Sequence, residues 1–287
     1  MTAEEIIKSV SRLVSLPDAV MRASHLLDSP DTNIADIGEV IAHDPALSAR
    51  LLKLVNSAFY HFPGQIGTLS RAITLIGFDE LRSLLVASAS AQCFNQLAPE
   101  SIDMNSFWKR SVYCGLVAQK LASLLQDNNG ESMFLTGLLH DIGHLILLTS
   151  LPEQSQKIVE RAGKTGQRMA EIETELLGFN APQLGALLLE NWQLPKKLWE
   201  PVGCQLQPEN ATEYPQQSKL LHLALAITDC VEPELKTEKK TPLEGLRRVS
   251  FQDFDLTIEQ LEMLAIDASL ESFEVLSIIN PQVTMIF

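Results

Sequence analysis

Leu138-Leu139-His140-Asp141-Ile142-Gly143-His144 sets a His-Asp pair in an apolar run that reads as one helix over 131–148. Two ionisable groups among leucines and isoleucines are costly to desolvate unless they are partnered. A His-Asp dipeptide alone is common, and a satisfied buried pair is its ordinary meaning, so the neighbouring segments must decide between packing and chemistry. On a continuous helix His144 would lie one turn after His140 and share its face.

Outward from this run the pattern is helical in both directions. Towards the C-terminus, apolar residues at three- and four-residue spacing mark helices over 152–164, 168–177, 182–192, 195–204 and 216–231; on the N-terminal side the preceding helix covers 105–126. Before that, a first helix over 2–14 is broken at Leu16-Pro17, and a second starts at Asp18 with Val20, Ala23, Leu26 and Leu27 on one stripe. Asn33 and Asp44 are N-cap candidates, with Pro45 at a first helical position, where its missing N–H costs nothing. Thr68 opens TLSRAITLI, Gly77 stops it, and Asp79 opens a run to about Gln96. The polar stretch Leu97 to Asn105, containing Pro99, is the expected boundary of an N-terminal part over 1–97. After a connection from 236, Phe254, Ile258, Leu261, Leu264, Leu270, Phe273, Leu276 and Ile279 predict C-terminal helices covering the bundle or a partner interface. There is no strand pattern and no internal repeat.

Composition agrees with an all-α fold. The 287 residues are 46% apolar, enough for a sizeable core, and only 6% aromatic; straight-chain residues and alanine lose little entropy in helices. A net charge of −14 repels polyanions, so neither nucleic acid nor an anionic membrane is an expected partner. The basic run Lys236, Lys239, Lys240, Arg247 and Arg248 is interrupted by Glu238, Thr241-Pro242 and Glu244 and reads as a solvated connection. Cys93, Cys114, Cys204 and Cys230 form no C-x-x-C pair, which suits reduced thiols. The acidic start MTAEEIIKSVSRL is unlike a signal peptide, and no apolar run is expected to reach the roughly 20 residues of a bilayer span, so the expected location is the cytoplasm. Phosphate-binding Gly loops, G-x-S-x-G elbows and basic helix-turn-helix motifs are all missing from the sequence.

The His-Asp segment resembles the HD superfamily of metal-dependent phosphohydrolases, whose pattern is a His, then a His-Asp pair, then a distant Asp. Leu16-Pro17, Ile41-Ala42-His43-Asp44-Pro45-Ala46-Leu47, Leu54-Val55-Asn56-Ser57-Ala58-Phe59-Tyr60 and Ala72-Ile73 through Gly77 extend the resemblance to the HDOD family, HD-related bacterial regulatory domains, over about 13–235. It implies an HD-domain-like helical bundle over 98–235 behind an N-terminal helical subdomain, with 236–287 as linker and C-terminal helical segment. His140 and Asp141 match the central pair, and Asp229 in Ala226-Ile227-Thr228-Asp229 matches the final Asp. The place of the first His, in Trp108-Lys109-Arg110-Ser111, holds Arg110, which has no lone pair for a metal. Two further histidine places hold Ala181 and Cys204-Gln205. His144 stands where many relatives carry Lys. Asp44 is better employed as a cap than His43-Asp44 as a site; Asn56 and Ser57, read as mid-helix, should dock the N-terminal helices through side-chain hydrogen bonds. Trp192, Trp199 and Cys114 read as core.

The resemblance with these gaps implies a non-catalytic regulatory protein of signal transduction, using a degenerate site of Arg110, His140, Asp141, His144 and Asp229 and binding signalling proteins. The alternatives are a phosphohydrolase whose metal is held by His140, Asp141 and Asp229, and a nucleotide sensor in which Arg110 grips a phosphate. No cofactor is expected beyond a divalent metal weakly held at those three residues. Arg110 is expected to replace the metal's charge by reaching Asp141 or Asp229. Oligomeric state is not legible.

Overall fold

The computed structural model describes residues 1–11, 17–29, 32–57, 60, 62–97, 102–127, 130–232 and 254–280. Among them every regular element is helical, with 14 α-helices, a short 3₁₀ turn at Pro208–Asn210 and no strand. The expected boundary at 98 and the basic run over 236–248 lie outside the described residues.

The N-terminal part comprises α1 (Ala3–Val10), α2 (Asp18–Asp28), α3 (Ile34–Ala42), α4 (Pro45–Val55) and α5 (Leu69–Leu97). Local chemistry sets their starts. Thr2 with Glu5 and Asn33 with Asp36 form capping boxes on α1 and α3. Asp44 Oδ1 accepts the Leu47 N–H at 2.9 Å to open α4, and Thr68 Oγ1 accepts that of Arg71 at 3.3 Å to open α5. Gly77, at φ 81°, turns the chain inside α5 where a side chain would be strained. Asn56 and Ser57 are just past the end of α4 and not mid-helix; Asn56 exchanges two hydrogen bonds with the Ile66 backbone, at 2.7 and 2.8 Å, and pins the following loop.

The larger part comprises α6 (Met104–Leu124), α7 (Gly130–Leu138), α8 (Ile142–Ser150), α9 (Pro152–Thr165), α10 (Met169–Leu177), α11 (Ala181–Asn191), α12 (Lys196–Cys204), α13 (Pro215–Val231) and α14 (Ile258–Ile279). Helix α6 is the axis: Trp108, Val112, Cys114, Leu116, Val117 and Leu121 are fully buried, and α7, α13 and α14 surround it. It approaches α7 through glycines, since a Cβ on Gly137 would stand 2.7 Å from the Gly115 Cα. The two parts share one apolar cluster, with α5 against α7, α1 against α11 and α4 against α14.

The single helix expected over 131–148 is two. Helix α7 ends at Leu138, residues 139–141 turn, and α8 starts at Ile142. The cause is packing. A Cβ on Gly143 would lie 1.8 Å from the Ala181 carbonyl oxygen, so α8 runs backbone to backbone against α11, along a path that α7 does not share. The stretch Ser132–Ser150 does reach the length and apolar content of a bilayer span, contrary to expectation, but this turn interrupts it and most of it is buried.

Helix α14, capped by Thr257 and Gln260, closes the side of α6: Tyr113 Oη donates to the Ala265 carbonyl at 3.1 Å, and Lys120 pairs with Glu271 at 2.8 Å. The apolar series there does not all face inward, for Leu270 and Phe273 are exposed. Trp192 is core, tilted against Phe94, whereas Trp199 is half-buried with the Lys196 ammonium 5.7 Å from its ring centre.

Candidate functional site

The turn between α7 and α8 presents His140 and Asp141 in different directions. His140 Nδ1 donates to the Gly137 carbonyl at 2.6 Å, which leaves Nε2 as the lone-pair nitrogen; that atom is buried without a partner. Burial lowers the His140 pKa, against the opposing pull of the Asp141 charge, and the lowered value favours the neutral ring at neutral pH. Its own carbonyl accepts from Gln205 Nε2 at 3.0 Å.

Asp141 faces α8. Its Oδ1 accepts from His144 Nδ1, and the other imidazole nitrogen lies 3.2 Å from Glu173 Oε1 on α10. Carboxylates only accept, so the imidazolium form of His144 satisfies both contacts. Burial pushes the Asp141 carboxyl up, but the charge and hydrogen bond of His144, with His140 and Arg110 behind, outweigh it and hold the pKa at about 2. Glu173 is itself buried, and its Oε2 accepts the Ala181 N–H at 2.8 Å, which ties α10 to the start of α11.

Arg110, on α6, reaches Asp229 and not Asp141. Its Nη2 donates to Asp229 Oδ1 at 2.6 Å, and Nη1 donates to the Glu232 carbonyl at the end of α13. The guanidinium side chain is 12% exposed and that of Asp229 57%, so the two carboxylates do not converge in the core as expected. Arg110 nevertheless bears on the whole neighbourhood, as its charge contributes to the shifts of His140, Asp141 and Cys114. The Cys114 thiol is pushed up to about 12, chiefly by burial, and is inert core.

The five residues singled out from sequence therefore divide into Arg110 with Asp229, Asp141 with His144, and His140 folded back on its own turn. His144 does not share a helix face with His140, because the helix breaks between them. Of Ala181 and Gln205, the Ala181 backbone lies against Gly143 of α8 and donates to Glu173, and Gln205 donates to the His140 carbonyl in the turn. Glu173 was not legible in Met169–Leu177, where four acidic or polar neighbours, Glu171, Glu173, Thr174 and Glu175, look alike and only packing buries one. As candidates for holding a divalent ion, His140 offers one free nitrogen and both carboxylates already have a cation of the chain's own. Among the described residues no group of three or more His, Cys, Asp or Glu side chains is placed to hold a metal. A small hollow lined by Leu47, Arg50, Leu51, Leu84 and Ile279 lies apart from these groups and is mainly apolar.

An all-α bundle with a His-Asp turn between α7 and α8 and a late-helix Asp facing α6 defines an HD-like protein. The HDOD domain profile matches residues 13–208, more than half of the sequence, and the chain belongs to the HDOD domain family. Among solved structures it is similar to a candidate phosphohydrolase from Shewanella amazonensis, at 26% identity and a TM-score of 0.75 over 97% of this chain and 98% of that one. It is similar also to an HDOD domain protein of unknown function from Geobacter sulfurreducens, at 20% identity and a TM-score of 0.72 over 99% and 97% of the two chains. A candidate signal transduction protein from Marinobacter aquaeolei gives 22% and 0.70, over 96% of this chain and 64% of that one. A curated relative, an uncharacterised protein of Treponema pallidum, is 24% identical over 95% of this chain, which spans about half, 52%, of that relative's length.

Proposed function

We propose that this chain is a non-catalytic regulatory protein of bacterial signal transduction, acting in the cytoplasm by binding partner proteins on an HD-like scaffold. The observation that carries the reading is the hold of Arg110 on Asp229, in the place where the HD pattern has a histidine. A guanidinium offers a metal no lone pair and repels it, and the second carboxylate, Asp141, is compensated by His144. This donor set fits a divalent ion poorly. The likeness to the candidate signal transduction protein from Marinobacter is in line with the reading, and the chain's net charge of −14 argues against nucleic-acid partners.

Two observations favour a phosphohydrolase instead: the orphaned Nε2 of His140 and the Shewanella relative. A metal held by His140, Asp141 and Asp229 would activate water there. The test is elemental analysis of the purified protein, then phosphatase and phosphodiesterase assays with added manganese or magnesium. The expected result is substoichiometric metal and no turnover. Stoichiometric metal with turnover abolished by Asp141→Ala would overturn the proposal. A nucleotide sensor would need Arg110 to release Asp229, and a thermal-shift screen against nucleotides, expected to be flat at millimolar ligand, tests that reading.

A further inference from the structure

Helix α14 is apolar on two opposite faces. Leu261, Ala265, Ala268, Val275 and Ile279 pack inward, while Met263, Ile266, Leu270 and Phe273 stand 68%, 60%, 76% and 60% exposed on the far side. The exposed four alternate three- and four-residue steps, the spacing at which one helix seats the side chains of another. A helix apolar all round is normally covered all round, and scattered exposed leucines need no explanation, but four in register along one stripe do.

The rim decides what covers the stripe. Helix α14 contains Glu259, Glu262, Asp267, Glu271 and Glu274 and no Lys or Arg. Glu271 is paired with Lys120, and Glu259, Glu262 and Asp267 are exposed beside the stripe. A second copy of α14 would bring two acidic rims together in either orientation, and an anionic lipid surface would meet the same repulsion. A helix with an apolar stripe flanked by lysines or arginines satisfies both the stripe and the rim. We propose that the outer face of α14 is a docking surface for a cationic amphipathic helix of another protein. The proposal does not depend on whether the His-Asp turn performs chemistry, so the metal and turnover assays leave it standing or falling on its own.

The experiment uses the full chain and, as probe, a fluorescently labelled synthetic helix with leucines at alternating three- and four-residue steps and lysines elsewhere. Anisotropy should show saturable binding to the wild-type chain that weakens with added salt. Leu270→Ser with Phe273→Ser keeps the charge and touches no core residue; it should weaken binding by about tenfold or more, since a few apolar anchors dominate such interfaces. Glu262→Gln with Asp267→Asn should weaken it severalfold, and the same peptide with glutamates for lysines should not bind. Equal binding to the serine variant, which would mark nonspecific attraction to net charge, overturns the proposal, as does binding of the glutamate peptide. It is overturned too if sedimentation shows a dimer, or phosphatidylserine vesicles capture the chain, in a way that the serine variant abolishes.

Discussion

Asp141 and Asp229, the two carboxylates singled out from the sequence, are compensated in opposite ways. The Asp141 side chain is 16% exposed and its partner is His144, three residues on, with buried Glu173 beyond. The Asp229 side chain is 57% exposed and its partner is Arg110, on a helix distant in sequence. The inner arrangement joins α8, α10 and α11 through contacts that water cannot replace. The outer one clips α13 to α6 at the rim, where solvent screens the charges. Similar ion-pair chemistry thus has a different worth in the two places, because removing one partner is costly only when the other is left buried.

The sharpest break of the inner arrangement is Gly143→Ala. Its new methyl would meet the Ala181 carbonyl at 1.8 Å, backbone against backbone, and should cost about 3 kcal/mol or more by forcing α8 from α11. Thermal or urea melts measure this, and a melting temperature within a degree or two of wild type would show that the approach is not needed. Glu173→Ala comes next. It leaves the Ala181 N–H and one side of His144 without an acceptor and should cost about 2–3 kcal/mol, measured the same way.

Acid titration probes the inner carboxylate, Asp141, without breaking the packing. The Asp141 pKa is lowered from 3.8 to about 2 in the fold, so the unfolded chain binds more protons between those values. The stability it contributes is fully present above pH 3.8 and is lost as pH falls towards 2. Glu200 adds a second limb in the same window. Burial raises its pKa, but hydrogen bonds from Thr212, Tyr214 and Glu213 prevail and bring it to about 2. Asp141→Asn should therefore lower stability at neutral pH and flatten the fall between pH 4 and 2, and Asp141→Asn with Glu200→Gln should flatten it further. An unchanged acid limb in the double variant would refute this account.

The smallest effect is expected at the rim. Arg110→Ala removes the Asp229 pair and the bond to the Glu232 carbonyl, but Asp229 can then be hydrated, so the loss should be about 1 kcal/mol and should shrink in high salt. A cost as large as that of Glu173→Ala would mean that the action of Arg110 on Asp141 outweighs its hold on Asp229, and would erase the contrast between the two sites.

Much of the fold was legible because the signals are local. The acceptors Asn33, Asp44 and Thr68 each bond an N–H three residues on, Gly77 takes a left-handed angle in place, and apolar spacing marked α6 and α9 to α13 within a residue or two. The break at His140-Asp141 was not, since apolar residues continue on both sides and nothing in the turn is a recognised stop. Nor could periodicity tell which of the two apolar faces of α14 meets the core, because both repeat at helical spacing.

The sequence by itself determined where most helices start, that the chain would be all-α and, by resemblance, its family. Only the tertiary structure decided that Arg110 serves Asp229, that His144 serves Asp141 and Glu173, and that Gly143 sets α8 against α11. Caps and glycines act within a turn of the chain, so the sequence displays them. Charge compensation depends on burial and on distance in space; Arg110 and Asp229 are 119 residues apart, and no local pattern records that packing brings them together.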